Sequence, residues 1–182
     1  TAEFLNGQAG DRRKAYVIGE GALIHSLYEA GFVLTENDAD FVVLGETRSY
    51  SFEMIQRASY LIQRGARFVA TNPDRTCPIE GGELPDCAGV IAHLEAVTLR
   101  KVEAVVGKPS PLTIEATLEI LGLPAADCLL VGDRIETDIR GLAADERCAV
   151  RREKSRPITE ALKPWLTDKL SLISQKTKLA EA

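Results

Sequence analysis

Five short apolar runs rich in β-forming residues punctuate the chain, at Ala15–Ile18, Phe41–Leu44, Phe68–Ala70, Ala104–Val106 and Leu129–Val131. Their starts lie 26, 27, 36 and 25 residues apart, the spacing of βα units in which each strand is followed by a crossover helix. Runs that are apolar throughout, rather than alternating, belong to strands covered on both faces. The chain is therefore predicted to build a mostly parallel α/β sheet. The segments between the runs fit helices. Ser51 is a predicted N-cap, with Phe52, Ile55, Ser59 and Ile62 near one face and Gly65 as the stop. Ser110 and Pro111 form a second N-cap and first-turn pair, with Ile114, Leu118 and Leu121 as the buried stripe and Gly122 as the stop. Pro73 to Gly89, dense in Pro, Gly and Asp, reads as a long loop ahead of a helix over Val90–Leu99.

The 182 residues are 45% hydrophobic, enough for one sizeable domain or two small ones. Twenty-two basic against 27 acidic residues give a net charge of −5 with no Lys/Arg-rich block, which argues against nucleic acid as the main partner. No apolar run approaches the length of a membrane span, so no membrane partner is expected. Cys77, Cys87, Cys128 and Cys148 form no C-x-x-C pair. Zinc is thus unsupported, and the cysteines read as reduced small hydrophobes of a cytoplasmic protein. Met54 is the only methionine, so a chain beginning at Thr1 is expected to be processed or a fragment.

Two segments share one logic. In VVGKPSP a strand ends at Gly107 and presents Lys108 ahead of a capped helix; in LLVGDRIETDI a strand ends at Gly132 and presents Asp133, with Asp138 in the first turn of the next helix. Ligands of open α/β sheets bind outside the carboxyl ends of the strands. A lysine ammonium suits a phosphate or a carboxylate nucleophile. Two aspartates suit Mg2+, which keeps several waters and is shared with substrate phosphate. Together they describe the electrostatic half of a phosphoryl-transfer site. Taken singly, each segment reads equally well as a turn or as a helix N-terminus carrying a complementary acid.

GKPSP followed by VGDRIETDI resembles motifs III and IV of the haloacid-dehalogenase-type phosphatases. KAYVIGEGAL, DFVVLGETRSYSFEMI and GARFVATNPD extend the resemblance to the NagD-like branch with a C2-type α/β cap, over about residues 1 to 144. The resemblance implies a partial Rossmann-like core plus a cap: residues 1–12 a linker or core remnant, 13–100 the cap, and 101–182 the rest of the core with a divergent tail. It also implies a Mg2+-dependent phosphatase of small phosphomonoesters, such as nucleoside monophosphates or sugar phosphates. Lys108 matches the lysine that steadies nucleophile and phosphate, and Asp133 and Asp138 match the metal-site acids. Thr71, Asn72 and Asp74 would stand at the lip of the cap and touch the leaving group, or else build an Asn-Pro-Asp turn. GETRSYS (45–51) would border the closed site, and the cap is a possible surface for homo-oligomers.

Such enzymes use an Asp-x-Asp after their first strand, as nucleophile and as acid/base. Asp38-Ala-Asp40 has the spacing but precedes the apolar run Phe41–Leu44, at the wrong end of the strand. The first two motifs are accordingly expected before Thr1, the chain alone is expected to be inactive, and its incomplete core is expected to make it poorly soluble or self-associating. After GLAA the sequence departs from the family with DERCAVRR, leaving an apolar strand reduced to Cys148–Val150. The rival reading is a non-catalytic phosphate- or partner-binding α/β module. Gly19-Glu20-Gly21 opens a third, a dinucleotide loop, but position 24 is Ile24 where a third glycine would stand. His93 and His25 are read as a helix-surface and a structural histidine.

Overall fold

A computed structural model describes residues 1–125 and residue 128. The expected strand Leu129–Val131, the acids Asp133 and Asp138, the segment Cys148–Val150 and the amphipathic stretch through Leu162, Leu166, Leu170 and Ile173 lie outside the described residues. Contacts divide the chain into Thr1–Ala116 and Thr117–Ala182.

The elements run α1 (Ala2–Ala9), β1 (Lys14–Ile18), α2 (Gly21–Glu29), β2 (Val33–Leu34), β3 (Phe41–Leu44), α3 (Phe52–Gln63), β4 (Arg67–Ala70), β5 (Thr76–Ile79), β6 (Gly82–Pro85), α4 (Cys87–Thr98), β7 (Ala104–Val105) and α5 (Pro111–Leu121). Five strands form one sheet in the order β2-β1-β3-β4-β7, and every pairing in it is parallel. The α/β expectation holds, and it holds for the predicted reason. Val42, Val43 and Leu44 of β3 are wholly buried because each face of the sheet is covered. Tyr16, Ile18, Val42, Leu44, Phe68 and Ala70 pack with Ile55, Ala58 and Ile62 of α3 and Val90 and Leu94 of α4. Ala15, Phe41, Val43 and Val69 pack in the other layer with Leu5 and Ala9 of α1 and Leu27 of α2. Burying one such Leu or Phe contributes about 1.5–3 kcal/mol. Stability therefore resides in these two layers, which leaves the strand ends to carry loops.

Three differences from the sequence reading have local causes. Residues 1–12, expected as a linker or core remnant, carry α1, whose Leu5 is fully buried, and Arg13 donates from Nη1 to Asn6 Oδ1 at 2.7 Å. The stretch from Pro73 to Gly89 is not one long loop. It holds the antiparallel hairpin β5–β6, turned at Glu80–Gly81 with Gly81 at φ 86, and α4 begins at Cys87 under an Asp86 N-cap. In α3 the N-cap at Ser51 is observed, its hydroxyl accepting from Met54 N at 3.2 Å. Its buried face, however, is Ile55, Ala58, Leu61 and Ile62, and Phe52 in the first turn is 75% exposed.

The first turn of α5 begins at Pro111 as predicted, and Gly122 at φ 62 follows its last residue. Ile114 and Leu118 are half-buried, whereas Leu121 is exposed. No helix among the described residues is long and apolar enough to cross a membrane.

Candidate active site

Parallel strands send all their carboxyl ends to one edge of the sheet. Here that edge carries Gly19 after β1, Gly45 after β3, Thr71 after β4 and Gly107 beyond β7. The backbones are tied in sequence across it: Gly45 N donates to Ile18 O at 2.7 Å, Thr71 N to Leu44 O at 2.8 Å, and Gly107 N to Thr71 O at 2.6 Å. Glycines stand where the chains meet, and a side chain at either Gly45 or Gly19 would have to displace the tip of Leu23. A Cβ on Gly45 would lie 2.6 Å from Leu23 Cδ2, and one on Gly19 would lie 2.9 Å from the same atom. Gly19 is thus explained by the packing of Leu23, with the loop closed over it where Arg48 N donates to Glu20 Oε1 at 3.0 Å. That contact gives Gly19 a packing role that owes nothing to a dinucleotide, whereas a Cβ on Gly21 would meet open space.

Lys108 stands in the turn just beyond β7. The turn closes by Ser110 N donating to Gly107 O at 3.0 Å, and Thr113 Oγ1 reaches back to donate to Val106 O at 2.6 Å. The Lys108–Pro109 peptide is cis, and the Lys108 side chain is exposed. On the neighbouring strand end, Asn72 Oδ1 accepts from Asp74 N at 2.9 Å, so Asn-Pro-Asp does form the side-chain-closed turn. Asp74 O in turn accepts from Ala88 N at 2.9 Å and ties this turn to the start of α4. Thr71 and the Lys108 turn are therefore adjacent, joined through Gly107.

Near Thr71, on the side of Cys87, is a cleft of about 270 Å3 lined by Glu46, Arg48 and Tyr50 from the β3–α3 loop and by Leu84, Asp86 and Cys87 from the hairpin and α4. Five residues of the GETRSYS segment, Gly45 to Arg48 and Tyr50, line this cleft. The hairpin side of it was not legible, because Pro78 within β5 speaks against a strand; the Gly81-Gly82 pair was the signal available. Cys87 is no nucleophile there. Burial, reinforced by the nearby Asp86 carboxylate, pushes its thiol up to about 12, and its Sγ lies 3.9 Å from Thr71 Oγ1. His25 and His93 are exposed on α2 and α4.

A larger groove, about 630 Å3, opens at the opposite, amino edge among Glu36, Asp38, Arg57, Tyr60 and Arg64. It is away from every strand end that presents Lys108 or Thr71. It also accounts for Asp38-Ala-Asp40. Asp38 Oδ2 accepts from Lys14 Nζ at 3.0 Å, which holds its carboxyl below the usual carboxylate range, and Asp40 Oδ2 accepts from Lys14 N at 3.0 Å. These acids fasten the start of β3 to the start of β1; they do not face the carboxyl edge. Among the described residues no three His, Cys, Asp or Glu side chains gather as a metal site, and the acids expected to hold Mg2+ lie outside them.

Residues 2–144 match the family model of haloacid dehalogenase-like hydrolases. The chain is 48% identical over 139 residues to the ribonucleotide monophosphatase NagD of Escherichia coli K12, covering 76% of this chain and 53% of that protein. It superposes on the 4-nitrophenylphosphatase of Thermotoga maritima with a TM-score of 0.78 at 31% identity, over 90% of this chain and 62% of that one. The glycerol phosphate phosphatase Rv1692 of Mycobacterium tuberculosis, solved in complex with magnesium, matches with a TM-score of 0.75 at 30% identity, over 81% of this chain and 45% of that one. The chain thus spans about half the length, 53%, of the first curated relative it matches.

Proposed function

The chain belongs to the haloacid dehalogenase-like hydrolase family, within its NagD-like branch, and on that premise we propose that it serves the Mg2+-dependent hydrolysis of small phosphomonoesters. Its relatives are phosphatases of ribonucleotides, nitrophenyl phosphate and glycerol phosphate, so a small phosphorylated metabolite is the substrate class. The observation that carries the reading is the placement of Lys108: an exposed ammonium on a short turn at the carboxyl edge of a parallel sheet, next to Thr71. Lysine there acts as a point charge for the transferring phosphoryl group and for the carboxylate that attacks it.

In this reading the five-stranded sheet is the C2-type cap. Because β7 pairs with β4 in that sheet, this reading carries the cap past the expected end at residue 100, to the strand that delivers Lys108. Thr71 and the Asn72–Asp74 turn, with Arg48 and Tyr50 across the cleft, meet the leaving group. Asp133 and Asp138 carry the carboxylates for Mg2+, which when bound neutralises phosphate charge and orients the phosphoryl group.

Attack on phosphorus in this family's chemistry requires an aspartyl nucleophile. Among the 182 residues the one Asp-x-Asp is Asp38-Ala-Asp40, engaged at the amino edge. The chain by itself is therefore proposed to have no turnover. Purified chain assayed with p-nitrophenyl phosphate and Mg2+ should show no release of nitrophenol above buffer. Mg2+-dependent release abolished by Asp133→Ala would contradict the missing-nucleophile reading while supporting the metal site. Mg2+-dependent phosphate binding without turnover supports the reading in both parts.

A further inference from the structure

Beyond the role of Lys108 itself, and resting on that reading, we propose that Thr113 is a positioning residue: its hydroxyl clamps the turn that aims Lys108. The span from Val106 to Thr113 holds Gly107, Lys108, Pro109, Ser110, Pro111 and Leu112, and Lys108 is the one charged side chain among them. Both ends of this span are anchored. Val106 is buried, and its N–H donates to Ala70 O at 3.0 Å in the sheet. At the other end Leu112 packs against the core layer that contains Val106, Val69 and Phe41.

Between the anchors the backbone turns through Gly107, whose N–H is taken by Thr71 O at 2.6 Å, and Ser110, whose N–H is taken by Gly107 O at 3.0 Å. The carbonyl of Val106 is the next polar group at the end of β7, and Thr113 Oγ1 donates to it at 2.6 Å across seven residues. Removing that donor leaves a carbonyl beside a buried side chain to find another partner, and the turn has to move to supply one. Thr113 needs its hydroxyl for this task, whereas its γ-methyl is dispensable. Valine keeps the shape and loses the donor; serine keeps the donor.

Native-state hydrogen exchange at the Gly107 and Ser110 amides, together with the acylation rate of Lys108 Nζ with and without inorganic phosphate and Mg2+, tests this on the purified chain. Thr113→Val should speed exchange at Gly107 and Ser110 by about tenfold while leaving Val43 and Val69 unchanged, and it should remove the protection of Lys108 by phosphate. Thr113→Ser should restore both. If the valine variant melts below the measuring temperature, Thr113→Ala carries the same comparison. Unchanged exchange at Gly107 and Ser110 in the valine or alanine variant would overturn the clamp. A wild-type Lys108 that phosphate does not protect would instead overturn the phosphate reading, and exchange at Gly107 would still decide the clamp.

Discussion

Gly107 and Thr71 meet backbone to backbone: Gly107 N donates to Thr71 O at 2.6 Å, and a Cβ on Gly107 would lie 2.1 Å from that same oxygen. A main-chain carbonyl cannot swing aside as a side-chain tip can. Gly107→Ala must therefore push the end of β7 away from β4, at a cost of about 1–3 kcal/mol. Gly89, in α4, has nothing within 4 Å of a built Cβ, and alanine there should be neutral or stabilising by up to about 1 kcal/mol. Thermal melts of the two variants check this; equal melting temperatures would contradict it.

The thiol of Cys87 gives the chain an alkaline weakness. Burial raises it from 9.0 to about 12, so the folded state favours the neutral thiol. The stabilisation is full below pH 9, where the unfolded thiol is also neutral, and is lost as pH rises through the window up to about 12. Urea unfolding at several pH values should show wild-type stability falling more steeply than that of Cys87→Ala across this window. Parallel slopes would contradict it.

Arg67 holds Glu103 with two donors, Nε shared between the carboxylate oxygens at 2.9 and 3.0 Å and Nη2 donating to Oε1, and its guanidinium lies 5.2 Å from the Phe41 ring centroid. The hydrogen bonds from Arg67 lower the Glu103 carboxyl from its ordinary 4.5. The pair therefore stabilises the fold above that pH, and its contribution is lost as pH falls through the lowered value. With its partly exposed setting, Glu103→Gln should cost at most about 1 kcal/mol at neutral pH. The difference from wild type should close in acid, which chemical denaturation at pH 7 and pH 3 would reveal.

Leu99 ends α4 in the left-handed region, at φ 55, while 91% exposed. It has little packing to lose and a backbone strain that glycine would relieve. Leu99→Gly should raise stability by about 1 kcal/mol. A lower melting temperature would show that the side chain is covered in solution.

Strands β1, β3 and β4 were legible because each is an apolar run buried on both faces, and Phe41–Leu44 was placed to the residue, whereas the two-residue exposed strand β2 was not. Ser51 and Gly65 marked the limits of α3 by their own backbone chemistry. The turn bearing Lys108 was readable for the same reason: a glycine after a short apolar run, then a helix cap. What escaped was tertiary. The β5–β6 hairpin hides behind Pro78, α1 lacks a marked apolar stripe, and Phe52 obeys helical spacing yet stays outside the core. The clamp from Thr113 spans seven residues, a reach that no periodic pattern encodes.

The most direct test of the account is a double-mutant cycle on phosphate binding. Titration calorimetry of inorganic phosphate into the chain, with and without Mg2+, should show binding that Mg2+ strengthens and that Lys108→Ala and Asp133→Asn each weaken. Because both groups are assigned to one phosphate, the double variant should lose much less than the sum of the single losses. Losses that simply add, or phosphate binding indifferent to Mg2+, would contradict the account.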